Sequence, residues 1–147
     1  KTGGGLTYFT MYEKYFNANP IAETRNFAIK TVFTQDEKNV PVLQSGKKAE
    51  MKITIDAAKE AEYVQIEIPL PAGCIITNKP QQPGMHIEYF KNKAVFFIDW
   101  LSAGEHVYSL SLEPRYNGRY ILNPSKAALM YFPTFYGRNE IKKIDIR

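Results

Sequence analysis

Asp99, Ser102, Glu105 and His106 stand close together and supply the residue types of a nucleophile, a general base and an orienting carboxylate. Correctly arranged, such a set activates a serine hydroxyl for acyl transfer: the imidazole takes the hydroxyl proton and the carboxylate stabilises the imidazolium. The spacing argues against it. Ser102-Ala103-Gly104 reads as a turn with Asp99 and His106 flanking it on two adjacent strands. Triads are assembled from distant segments more often than from one hairpin, so a scaffold role is expected for all four residues.

The remaining reactive side chains are equally isolated. His86 and His106 each lie beside a strand pattern with no second ligand at metal spacing, which favours polar or hydrogen-bonded positions. Cys74 is the single cysteine, so there is no internal disulfide and no CxxC metal site. Placed between Gly73 and Ile75-Ile76, it reads as a small apolar filler rather than an activated thiolate. There is no GxSxG elbow, HExxH pair, glycine-rich phosphate loop or acidic calcium loop. No catalytic residue, metal or cofactor is therefore expected, and Trp100, at the end of the most apolar run, is expected as a buried core anchor.

What must position these residues is a set of strands. Phe27, Ile29, Thr31 and Phe33 alternate with Asn26, Ala28, Lys30 and Val32; Met51, Ile53 and Ile55 alternate with Lys52, Thr54 and Asp56. Val64-Ile66-Ile68, His106-Tyr108-Leu110-Leu112 and Ile144-Ile146 repeat the period of two, the mark of a strand with one buried face. Ala94 to Trp100 is apolar on both sides and predicts a strand in mid-sheet. Breakers at Pro41, Pro69 to Gly73, Pro80 to Gly84, Ser102 to Gly104, Asn117-Gly118 and Asn123-Pro124 come at the intervals of an antiparallel β-sandwich. Asn117-Gly118 fits a two-residue hairpin turn because both residues tolerate positive φ. Leu6 to Phe16 is expected as an N-terminal strand. Asp56 to Glu62 favours helix but is too short to stand alone, so a turn or one helical turn is expected near residues 56–62.

With 147 residues, 44% of them hydrophobic, the chain predicts one all-β domain over 1–147. Residues 1–50 contribute leading strands and 51–147 the main body. The formal charge of +4 is spread out, with Lys47-Lys48 and Lys142-Lys143 as basic doublets, short of the stripe that tracks nucleic-acid phosphates. No apolar stretch is long enough to span a membrane as a helix. The start Lys1-Thr2-Gly3-Gly4-Gly5 reads as a piece of a longer protein.

Ala127 to Arg138, "AALMYFPTFYGR", is too aromatic for an ordinary loop and is broken by Pro133 and Gly137. Composition alone favours core, and the alternative is a contact surface. A sugar- or peptide-binding platform built from Tyr116, Tyr120, Tyr131, Phe135 and Tyr136 is a further reading of the same aromatic residues.

Three segments together resemble the C-terminal macroglobulin domain, the receptor-binding-like module, of bacterial α2-macroglobulin-like proteins. They are Tyr63 to Gly73 with its "PLPAG" turn, Val95 to Tyr108 with "FFIDWLSAGEH", and Met130-Tyr131-Phe132-Pro133 followed by Gly137-Arg138. The resemblance implies a macroglobulin or immunoglobulin-like β-sandwich and a non-enzymatic role. The parent would be a very large peptidase inhibitor of the bacterial periplasm, cell surface or envelope. The implied partners are sister domains of the parent chain and, indirectly, target peptidases. In thioester-bearing relatives this domain packs on the thioester domain; Cys74-Ile75-Ile76-Thr77 does not match the thioester motif itself. Carried over, Met130, Tyr131, Phe132, Pro133, Tyr136 and Arg138 become the expected interdomain contact, with Ala127 to Leu129 ending a strand and Gly137-Arg138 starting the last one.

Overall fold

Period-two alternation becomes the pleat of thirteen strands in a computed structural model, which describes residues 4, 9–13, 17–79, 81 and 83–147. In chain order they are β1 (Phe27–Gln35), β2 (Lys38–Asn39), β3 (Val42–Leu43), β4 (Ala49–Ala57), β5 (Ala61–Pro69), β6 (Cys74–Ile76) and β7 (Met85–Tyr89). There follow β8 (Lys93–Leu101), β9 (Gly104–Pro114), β10 (Gly118–Leu122), β11 (Lys126–Leu129), β12 (Tyr136–Arg138) and β13 (Lys142–Ile146). One sheet has the order β2-β1-β4-β9-β6, a second β12-β11-β5-β8-β7, and a small third β10-β13-β3. Every ladder between these strands is antiparallel except β13 with β3, which is parallel.

The inward residues are the ones the alternation marks. Phe27, Ile29 and Phe33 of β1, Met51, Ile53 and Ile55 of β4, and Leu110 and Leu112 of β9 meet Val64, Ile66 and Ile68 of β5 and Phe96 and Ile98 of β8 in one core. Ile144 and Ile146 of β13 close it. Each such side chain contributes about 1.5–3 kcal/mol on burial, which is why strands of such different lengths keep one register. β8 lies between β5 and β7 and buries Val95 as well as Ala94 and Phe96, as its two-faced apolar pattern requires.

The "PLPAG" segment carries the chain from β5 in one sheet to β6 in the other. A Cβ on Gly73 would lie 2.7 Å from Ile146 Cδ1 and from Tyr120 Cε2, and 2.8 Å from the Tyr116 carbonyl oxygen. Only a residue without a side chain fits so close an approach, and the Gly73 carbonyl accepts the backbone N–H of Arg115 at 2.8 Å and of Tyr116 at 3.2 Å.

Several local expectations give way to long-range packing. Residues 56–62 form no helical turn: Asp56 and Ala57 finish β4 opposite Glu105 and Gly104, residues 58–60 turn, and Ala61 opens β5. Two ladders on either side outweigh the helix propensity of so short a run. Asn117-Gly118 makes no two-residue hairpin, because β9 pairs with β4 and β6 while β10 pairs with β13. Of the N-terminal strand expected over Leu6 to Phe16, residues 6–8 and 14–16 lie outside the described residues, and Phe9 to Glu13 is exposed and in no strand. Gly137-Arg138 belongs to β12, not to the last strand, which is β13.

Candidate functional site

Residues 102–103 cross from one sheet to the other, since β8 pairs with β5 and β7 whereas β9 pairs with β4 and β6. The crossing brings Ser102 Oγ within 3.3 Å of His106 Nε2. The same nitrogen lies 2.9 Å from the Ser102 carbonyl oxygen. A carbonyl has no proton to give, so Nε2 must carry the hydrogen and donate it. It then has no lone pair with which to deprotonate the hydroxyl. Asp99 is exposed and makes no hydrogen bond or ion pair among the described residues, so the triad geometry does not assemble. His86 stacks on Phe97 with centroids 5.9 Å apart and lies 3.7 Å from Glu88 Oε1 on the exposed face of β7. Among the described residues no three His, Cys, Asp or Glu side chains gather as a metal site would require. Cys74 is buried, and burial pushes its thiol up to about 11.

The aromatic stretch is where the surface becomes unusual. Ala127 to Leu129 do end a strand, pairing with β5 on one side and β12 on the other. Residues 130–135 then leave the sheet in a loop closed by its own backbone: Leu129 N–H donates to Phe135 O at 3.1 Å and Phe135 N–H to Phe132 O at 2.9 Å. Met130 N–H donates to Tyr63 O at 2.8 Å, and the Tyr63 and Tyr131 rings meet edge to face at 5.3 Å. The hairpin is seated on β1 through Gly137, where a Cβ would stand 1.8 Å from the Phe27 carbonyl oxygen.

Burial sorts the six expected contact residues. Tyr131 is 70% exposed and Phe132 64%, beside exposed Pro133 and half-buried Met130, with Phe135 at 52% and Tyr63 at 44% completing the patch. Tyr136 and Arg138 are half-buried and are engaged locally. The Tyr136 ring takes the Lys126 ammonium at 5.2 Å, and its carbonyl accepts Asn26 Nδ2 at 3.3 Å. Arg138 Nε donates to Ile21 O at 3.1 Å, and its backbone exchanges 2.9 Å hydrogen bonds with Glu23. Residues 21–26 are thereby strapped along the β12 edge. Between that strap, residues 58–61 and the 130–135 loop runs a groove of about 360 Å³ lined by Phe27, Ala61, Leu129 and Phe135 together with Arg25 and Lys59.

Trp100 is not the buried anchor expected of it; it is 58% exposed, while neighbouring Leu101 is buried. Tyr63 holds a φ of 53°, in the left-handed region, and the alternation changes phase there. Val64 and Ile98 point inward together, yet beyond them the buried residue is Leu101 and not Trp100. The outward place of Tyr63 follows from the alternation, which sets it with Gln65 and Glu67 against Val64, Ile66 and Ile68, whereas the exposure of Trp100 was not legible, because its run is apolar on both parities. The five-aromatic platform is divided: Tyr120 and Tyr116 lie beside Gly73, beyond the Pro69 end of β5, whereas Tyr131 and Phe135 lie beyond its Val64 end.

The family model described as Bacterial Alpha-2-macroglobulin MG10 domain matches residues 24–134. No curated protein sequence matches. Among solved structures, Escherichia coli alpha-2-macroglobulin activated by porcine elastase aligns with a TM-score of 0.77 at 16% identity, over 87% of this chain and 14% of that one. The native Escherichia coli protein spanning domain MG7 to the C-terminus gives a TM-score of 0.77 at 14% identity, over 87% of this chain and 24% of that one. The Salmonella alpha-2-macroglobulin mutant Y1175G gives 0.76 at 16% identity, over 89% of this chain and 10% of that one. These likenesses show a shared fold, and the chain spans only a small part of the length of the structures it matches.

Proposed function

The chain belongs to the bacterial alpha-2-macroglobulin MG10 domain family, and from that premise we propose that it is a non-enzymatic interaction module which packs on a sister domain of its own parent polypeptide through the Met130 to Pro133 loop. The parent is a peptidase inhibitor of the bacterial periplasm, cell surface or envelope, and this module sits at its C-terminal, receptor-binding-like end. Where the parent carries a thioester domain, that domain is the partner, and Met130 and Tyr131 cover it from water. Target peptidases meet the module only through the rest of the parent.

The observation that carries this reading is the pairing of exposure with rigidity. Tyr63, Tyr131, Phe132 and Phe135 present aromatic surface outward, while three main-chain hydrogen bonds and a ring contact hold their loop in place. Rigid aromatic side chains bury large apolar area with little entropy to lose, the property of residues that dominate interfaces. The test is association in trans, by calorimetry, between this chain and the remainder of the parent. Tyr131→Ala with Phe132→Ala should weaken binding at least about tenfold, or about 1.4 kcal/mol, while melting like the wild type. Unchanged affinity would refute the assignment. So would saturable oligosaccharide binding lost in Tyr131→Ala and Tyr136→Ala, which transfers the aromatic residues to a sugar platform.

A further inference from the structure

A second surface, built from other residues, has the chemistry of an anion site. β2 pairs with β1 only at Thr34 and Gln35, so the same edge of β1 is open at Lys30 and Thr31. Two side chains, one from the connection that leads into β13 and one from the first residue of β13, close on that edge. Lys142 Nζ donates to the Thr31 carbonyl oxygen, and Asn139 Nδ2 donates to Thr31 Oγ1 at 3.1 Å. Asn139 is fixed in turn, its Oδ1 accepting the Ser125 backbone N–H at 2.7 Å. The Lys142 ammonium sits 6.0 Å from the centroid of the Phe33 ring. Lys30, the neighbour of Thr31 on β1, lines the same groove of about 290 Å³, along with Asn123 and Asn139.

Among the described residues no ion pair engages either lysine. Ion pairs among the described residues involve Lys47, His86, Lys93, Arg115 and Arg119, and neither Lys30 nor Lys142 takes part in one. Glu140 lines the groove but lies beyond ion-pair distance of both ammonium groups. Burial, and after it the Lys30 charge, pull the Lys142 ammonium below the usual lysine range. Lys142, partly desolvated and pinned by a strand-edge carbonyl, thus shares one groove with the exposed Lys30, with carboxamides beside them.

We propose that the Lys30–Lys142 groove binds a single small oxyanion, either free phosphate or the carboxylate of an acidic side chain brought by a partner. An ammonium that has given one hydrogen to Thr31 has two left to donate, Lys30 has three, and the Asn123 carboxamide adds a neutral donor. The site is independent of the Met130 to Pro133 loop and does not rest on the function proposed for it.

The test is amide chemical-shift titration of the 147-residue chain with inorganic phosphate and, separately, with N-acetylglutamate amide, each against sodium chloride at matched ionic strength. Shifts should saturate at Lys30, Thr31, Asn139 and Lys142. Saturation with either probe supports the site: phosphate alone marks a free anion, the glutamate derivative alone a partner's side chain, and both the shared chemistry. Lys30→Met, which leaves the Lys142 contact with Thr31 in place, should weaken binding about fivefold. Lys30→Met with Lys142→Met should abolish it. Curves that superimpose on the chloride control, or affinity unchanged in Lys30→Met, overturn the proposal.

Discussion

The Tyr63 ring meets the Tyr131 ring edge to face, with centroids 5.3 Å apart and planes at 79°, while the Tyr63 carbonyl accepts the N–H of Met130 at 2.8 Å. A left-handed residue in β5 is thus tied, by ring and by backbone, to the base of the exposed loop. The backbone bond survives loss of either ring. Tyr131→Ala should therefore cost the isolated chain no more than about 1.5 kcal/mol in urea unfolding, the value of one aromatic pair. A loss of several kcal/mol would mean that Tyr131 belongs to the core and not to a contact surface.

Gly137 should be the opposite case. It lies opposite Ala127 in the β11–β12 ladder, and an added Cβ would fall 1.8 Å from the Phe27 carbonyl oxygen, a backbone atom that has no rotamer to escape through. Gly137→Ala should cost more than about 2 kcal/mol or prevent folding. Since Asn26, Glu23 and Arg138 share the seam, amide exchange should accelerate at Glu23 and Arg138 as well. Normal stability and normal protection in the variant would refute this packing.

Cys74 gives a pH-dependent signature. Burial raises its thiol from 9.0 to about 11, so the folded state holds that proton more tightly than the unfolded state does. The associated stability is fully present below about pH 9 and is lost as pH rises through about 11. Burial raises Tyr89 and Tyr108 in the same direction, so the wild type sums all three. Cys74→Ala should flatten the alkaline fall in stability relative to wild type, and native Cys74 should resist thiol reagents at neutral pH until denaturant is added. Rapid stoichiometric labelling of the native chain would contradict this environment.

Gln81 guards a sheet edge. Its Nε2 donates to the Ile87 carbonyl at 3.0 Å and its Oε1 accepts the Ile87 N–H at 3.2 Å, so one carboxamide stands in for a neighbouring strand on the outer side of β7. Gln81→Ala should lower stability by about 0.5–1.5 kcal/mol and reduce the exchange protection of the Ile87 amide. Gln81→Glu keeps the acceptor and loses the donor, so it should retain that protection better than alanine. Protection at Ile87 that is identical in all three proteins would show the contact to be idle.

The period-two pattern marked β1, β4, β5, β9 and β13 and many of the side chains that they bury, because burial of one face is a local property: Ile53, Val64, Ile66 and Leu112 were marked by their neighbours alone, whereas short strands such as β2, β7 and β10 were not marked. The motifs around "PLPAG", "FFIDWLSAGEH" and "MYFP" likewise pointed to the family now matched over residues 24–134. Turn residues state only that the chain turns, not what it pairs with afterwards. Hence Ser102-Ala103 and Asn117-Gly118 read as hairpins although both cross between sheets, and the turn or helical turn expected near residues 56–62 is a plain turn at 58–60 between two strands, not a helical one. The outward Trp100, opposite Glu62 and next to the left-handed Tyr63 in the β5–β8 ladder, and the Lys142 contact with Thr31, made across 111 positions of sequence, were decided by tertiary structure alone. Such contacts depend on register and sheet order, which packing of the whole core selects and no short window of sequence contains.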